Sequence, residues 1–102
     1  MPRVLVIDDE PQIRSLVKRF LSQAGYDVDQ AGDGLDGVKE MKENPADLMI
    51  TDILMPKKEG LETIREIYPE CKTIAMSGGS QLTAIDFQEL VDAVKELVPV
   101  EG

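Results

Sequence analysis

The chain has no histidine. Serine–histidine and cysteine–histidine nucleophilic arrangements need an imidazole base, and the common zinc sites use imidazole ligands, so both chemistries are excluded. There is one cysteine, Cys71, so no internal disulfide can form. It lies just ahead of an expected strand with nothing nearby to activate it, and it reads as a structural thiol. Positive charge is also scarce: 11 Lys and Arg stand against 20 Asp and Glu, for a net charge of −9 and a pI near 4.4. Such a balance argues against nucleic acid and against an anionic membrane surface as direct partners. No apolar run approaches the roughly 18 residues of a membrane span. No basic, then apolar, then small-residue leader opens the chain, which therefore reads as cytoplasmic. Linkers, low-complexity stretches and charge blocks are missing too. Residues 1–102 make one domain with one core.

What is present is organised around Val4-Leu5-Val6-Ile7-Asp8-Asp9-Glu10-Pro11. A short, wholly apolar, β-branched run fits a strand buried on both faces of a parallel sheet. Pro11 suits the first turn of a helix, where its missing N–H had no intrahelical partner to lose. Asp8 and Asp9 therefore fall at the carboxyl end of a buried strand, the edge at which open α/β sheets bind ligands. Two adjacent carboxylates repel unless a cation lies between them. The plainer reading is that one caps the helix and the other is solvated.

Strand and helix then alternate regularly, which points to βαβ units. Ile13, Leu16, Val17, Phe20, Leu21 and Ala24 recur at helical spacing, and Gly25 supplies a left-handed stop. Residues 26–31 form a second strand, placed near an edge by Asp27 and Asp29. Asp33 caps a second helix that must end at Asn44-Pro45, because the residue before proline is pushed out of helical geometry. Leu48-Met49-Ile50-Thr51 is a third strand running into Asp52. A loop follows to Gly60, then a short helix stopped by Pro69. Residues 72–77 give a fourth strand, Gly78-Gly79 a turn, and residues 82–98 a final helix, with Ser80 or Thr83 as its cap.

Right-handed crossovers make these strands parallel. The fold class is thus α/β, a flavodoxin-like three-layer sheet of four strands in the order 2-1-3-4. With the third strand beside the first, Asp8, Asp9 and Asp52 converge where the strand order reverses. Oxygen-only ligands suit a hard cation, Mg²⁺ in particular.

Three segments together resemble a response-regulator receiver domain of two-component signalling. They are Val-Ile-Asp8-Asp9-Glu-Pro, Thr-Asp52-Ile-Leu-Met55-Pro56-Lys-Lys-Glu-Gly60 and Met76-Ser77-Gly78. The resemblance covers about residues 3–79. It implies a phosphoacceptor at Asp52, charged by a histidine kinase or phosphotransfer protein. Mg²⁺ would be held by Asp8, Asp9, Asp52 and the backbone carbonyl of Leu54. Ser77 would be the hydroxyl that moves to meet the phosphoryl group. Pro56 and Gly60 would shape the loop after the acceptor, Gly60 by permitting a positive φ. A module of this kind is a substrate and switch rather than an enzyme, at most a slow autophosphatase. For Ser77 the plainer alternative is a strand-end serine bonded to nearby backbone.

The chain departs from the family after that serine. The fourth and fifth helices run together, as if the chain were cut between about residues 86 and 87, and the fifth strand with its lysine-proline pair and aromatic is missing. Lys95 lies mid-helix and does not take the lysine's role; Lys57 and Lys58 read as solvated loop residues. The apolar fourth strand becomes an edge, which invites pairing with another chain. Self-association as a homodimer is expected, by strand addition or by exchange of the terminal helix. The competing expectation is a monomer with a repacked helix. A second functional reading keeps the acidic site but loses phosphotransfer, leaving a binding or structural module. An aspartate-nucleophile phosphatase would want a second acid two residues after Asp52, where this chain has Leu54.

Overall fold

The computed structural model describes residues 2–52, 59–76 and 84–100. Four strands, Arg3–Ile7 (β1), Asp27–Ala31 (β2), Leu48–Asp52 (β3) and Lys72–Met76 (β4), alternate with four helices, Pro11–Gln23 (α1), Gly34–Glu43 (α2), Leu61–Ile67 (α3) and Ala84–Leu97 (α4). All strand pairs are parallel and the order is β2-β1-β3-β4. The Gly78-Gly79 turn and the caps expected at Ser80 or Thr83 lie outside the described residues.

The period of two along each strand separates two cores. Val4, Val6, Leu48 and Ile50 face α1 and α4, meeting Val17, Leu21, Phe87, Val91 and Val94. Leu5, Ile7 and Met49 face the other way, toward α2 and α3, with Met41 and Ile64. This is why β1 and β3 read as uninterrupted apolar runs: neither has a solvent side.

Local signals stop the helices where the sequence indicates. After α1 the N–H of Gly25 donates to Ser22 O and that of Tyr26 to Leu21 O, each at 3.1 Å. With Gly25 at φ 101° this is a Schellman stop. Asp33 Oδ1 accepts from the Asp36 N–H at 2.9 Å and caps α2, which ends just before Asn44-Pro45. Gly60 opens α3 at φ 97°, the left-handed geometry expected of it.

The terminal helix is tied to the body. Tyr26 Oη donates to Val98 O at 2.7 Å, Lys72 Nζ donates to Leu97 O at 2.7 Å, and the Phe20 and Phe87 rings stack at 5.1 Å. Among the described residues no strand lies beyond β4. Apolar side chains left at the surface include Leu16 on α1, Leu35 on α2 and Ile67 on α3.

Candidate metal and phosphoacceptor site

The β1–β3 register sets the site. Ile7 pairs with Thr51, so the residues that follow, Asp8 just past β1 and Asp52 at the end of β3, come side by side at the carboxyl edge of the sheet. Asp8, Asp9 and Asp52 each place a carboxylate oxygen so that all three lie within 4.8 Å of one another. Asp8 and Asp52 are buried and Asp9 is exposed. The convergence expected from strand order alone is therefore observed.

Neither aspartate of β1's end caps α1. The cap position is Glu10, which makes no side-chain capping bond. Instead Asp8 Oδ1 accepts from the Glu10 N–H at 2.8 Å, and the Asp8 N–H continues the ladder to Ala31 O at 3.1 Å. The other oxygen, Asp8 Oδ2, is buried and has no hydrogen-bond partner among the described residues. Burial pushes the Asp8 carboxyl up to about 6; the charges of Asp52, Asp9 and Glu10 add to the rise, and the Glu10 N–H opposes it. A buried carboxylate with one orphaned oxygen, crowded by two others, gains most from a cation. The all-oxygen donor set fits a hard divalent ion such as Mg²⁺.

Two neighbours were not evident from the sequence. Arg14, one turn into α1, donates from Nη1 to the carbonyl of Asp8 at 2.6 Å and pins the turn that presents the acids. Its only sequence signal is its spacing from Pro11, which brings it round to the start of its own helix. Thr51 holds a buried hydroxyl without a hydrogen-bond partner among the described residues, next to Asp52 in the chain. Leu54, Pro56, Lys57, Lys58 and Ser77 lie outside the described residues. Cys71 is at the opposite end of the sheet. Burial, and then the charge of Asp47, push its thiol up, so it is a poor nucleophile, in keeping with a structural role.

Beside Asp52, between β4 and α3, runs a groove of about 480 Å³ lined by Thr51, Gly60, Leu61 and Ala75, with Glu59, Glu62 and the cation Arg65 also on its wall. A second hollow of about 460 Å³, around Pro45, Tyr68 and Cys71, lies at the amino end of the strands, away from the carboxylates.

A family model described as the response regulator receiver domain matches residues 4–95. The chain belongs to the response regulator receiver family. Among curated relatives it is 40% identical over 73 residues to the DNA-binding dual master transcriptional regulator RpaA of Synechocystis, which covers 72% of this chain and 30% of that one. It is 37% identical over 75 residues to the sensor protein EvgS of Escherichia coli, covering 74% of this chain and 6% of that one. The chain thus spans less than a third of the length of either relative. The response regulator TrrA of Thermotoga maritima, solved in complex with Mg²⁺–BeF, superposes with a TM-score of 0.79 at 35% identity, covering 96% of this chain and all of that one. TrrA has also been solved in complex with the histidine kinase ThkA, with a TM-score of 0.78 over 96% of this receiver domain and 99% of TrrA. Among the described residues no helix is long and apolar enough to cross a membrane.

Proposed function

We propose that this receiver domain accepts a phosphoryl group on Asp52 from a histidine kinase or phosphotransfer protein, in the cytoplasm, and passes the signal on by protein contact. The observation that carries the reading is the meeting of Asp8, Asp9 and Asp52 carboxylate oxygens within 4.8 Å at the sheet's carboxyl edge. Asp8, Asp9, Asp52 and the Leu54 carbonyl would hold Mg²⁺. When bound, the ion supplies charge neutralisation for the transferring phosphoryl oxygens.

The chain's own residues do the rest. A carboxylate oxygen of Asp52 attacks phosphorus, the bond from phosphorus to the donor's nitrogen breaks, and an acyl phosphate remains on Asp52. The Arg14 bond to the Asp8 carbonyl and the Glu10 N–H on Asp8 Oδ1 hold the acidic turn in place, so little reorganisation is needed as charge develops. Ser77 then hydrogen-bonds a phosphoryl oxygen, a contact available only in the phosphorylated state, which can bias a two-state loop. Its chemistry is regulatory: the protein is the substrate, and hydrolysis of its own acyl phosphate is at most slow. A net charge of −9 supports protein rather than nucleic acid or membrane as the direct partner.

The absence of a strand beyond β4 among the described residues favours one alternative, a binding module that has lost phosphotransfer. Intact mass after incubation with Mg²⁺ and a small phosphodonor separates the two. One added phosphoryl group that disappears in Asp52→Asn is the expected result. An unchanged mass in the unsubstituted protein supports the alternative.

A further inference from the structure

We infer that the start of α2 positions the acids. Its side-chain-free face, Gly34 and Gly37, is a spacer between Gly60 on one side and Ile7, the residue before Asp8, on the other. The inference rests on the reading of Asp8, Asp9 and Asp52 as a Mg²⁺ site. It adds to that reading the residues that set how tightly the ion is held.

The first ground is the closeness of the contacts. Gly34 and Gly37 are both buried and, three apart, share one face of the helix. A methyl group on Gly60 would fall 2.6 Å from the Gly34 carbonyl oxygen and 3.0 Å from Val38 Cγ2. A methyl on Gly37 would fall 2.6 Å from Ile7 Cδ1 and 3.4 Å from Ile64 Cδ1. Backbone thus packs on backbone where α2 meets the start of α3, and on the Ile7 side chain where α2 crosses β1. A packed interior has no slack in which to absorb a shift, so it passes the shift on. Gly60, Gly34, Gly37 and Ile7 form one line of contacts that ends at the residue bonded to Asp8.

The second ground is that α2 is tied to the acidic turn from its other end. The strand before it ends at Ala31, whose carbonyl accepts from the Asp8 N–H at 3.1 Å. Gly32 lies beside Arg14, whose Nη1 holds the Asp8 carbonyl; a methyl on Gly32 would be 3.5 Å from that nitrogen. Asp33 fixes the turn between, its side chain accepting from the Asp36 N–H and its carbonyl from the Gly37 N–H. On the far side, Gly60 lines the same groove as Asp52. The start of α2 therefore touches what holds Asp8 and what flanks Asp52.

The molecule contains its own control. Gly25 has nearly the backbone of Gly60, φ 101° against 97°, and a methyl there would lie 3.2 Å from Val100 Cγ1. It sits at the amino end of the sheet, just ahead of β2, away from the acids. Gly25→Ala and Gly60→Ala carry similar backbone strain and differ in what the added methyl pushes.

Amide NMR spectra titrated with Mg²⁺ test this, because they read the affinity of the folded protein and leave lost stability out. Gly60→Ala should bind Mg²⁺ about tenfold more weakly than the parent, the low end for disturbing the support of a metal ligand. Gly25→Ala should stay within about twofold, as a distant and independent site. No Mg²⁺ response in the unsubstituted protein overturns the metal-site reading and this inference with it. Undiminished affinity in Gly60→Ala, or equal loss in both variants, overturns this inference alone. If either variant does not fold, amide exchange of the unsubstituted protein decides instead. Coupling is reciprocal, so Mg²⁺ must firm the turn that positions its ligands. The Asp36 and Gly37 amides should slow on adding Mg²⁺ by about threefold more than those of Gly25 and Tyr26. Equal slowing at the two places overturns the inference.

Discussion

The two ends of the sheet are built on opposite principles. Toward the amino end polar groups are mostly matched, the exception being Asp29 Oδ2, which is ion-paired with Arg3 but buried without a hydrogen bond among the described residues. The Arg3 N–H donates to Asp47 Oδ2 at 2.9 Å, the Arg3 guanidinium pairs with Asp27 and Asp29, the Lys72 N–H donates to Asp47 O, and Tyr26 and Lys72 seal the last turn of α4. At the carboxyl end three like charges crowd together, and Asp8 Oδ2, Thr51 Oγ1 and Arg14 Nε are buried without hydrogen-bond partners among the described residues. One end contributes stability; the other gives stability up to hold three carboxylates together. A domain of this size has only about 5–15 kcal/mol to spare, so the two ends are coupled through the total.

The largest effect should come from relieving the carboxyl end. Asp8 ionises near pH 3.8 in the unfolded chain and only at about 6 in the folded one. Below the lower value both states are protonated and no penalty exists. Between the two the folded state holds more protons, so stability falls as pH rises, and above about 6 the whole cost is present. Asp8→Asn should therefore stabilise the metal-free protein at pH 7 by as much as about 3 kcal/mol, at roughly 1.4 kcal/mol per displaced pH unit. Thermal melts in a chelator should show the unsubstituted protein losing stability between pH 4 and 6 while the variant's profile stays flatter. Added Mg²⁺ should raise the melting temperature of the unsubstituted protein and leave Asp8→Asn nearly unmoved. A variant less stable than its parent in chelator would show that the crowding is compensated elsewhere.

That asymmetry also explains what could be read from the chain. The order 2-1-3-4 and the convergence of Asp8, Asp9 and Asp52 follow from patterns with strong local causes: two-sided apolar strands, a proline at a helix start, glycines at helix stops. Gly25, Asp33 and Gly60 behave as their local chemistry dictates. Arg14 and Thr51 escaped because their roles depend on partners set by packing. Arg14 serves its own strand-to-helix turn, and a threonine before Asp52 looks like any strand residue. The Tyr26 bond to Val98 spans 72 positions and leaves no periodic trace. The Lys72 bond to Leu97 O spans 25 positions and is equally invisible in the sequence.

The amino end should answer in the other direction and by less. Tyr26→Phe removes one hydroxyl that donates to Val98 O while keeping the buried ring, and should cost about 1 kcal/mol, the net value of one such bond. The ring sits in the core beneath α1 and α4, so the loss should read out as earlier fraying of α4, seen as faster amide exchange near residue 97 before any change in the strands. Arg3→Gln should cost still less. The Asp27 side chain it pairs with is 53% exposed, so solvent screens the attraction, and the pair is worth no more than about 1 kcal/mol. The bond from the Arg3 N–H to Asp47 survives the substitution. The cost should also shrink in high salt, because the ions are open to screening, whereas the Tyr26→Phe loss should not. If instead Arg3→Gln costs several kcal/mol at any salt, the amino end is held by buried charge too, and the contrast between the two ends disappears.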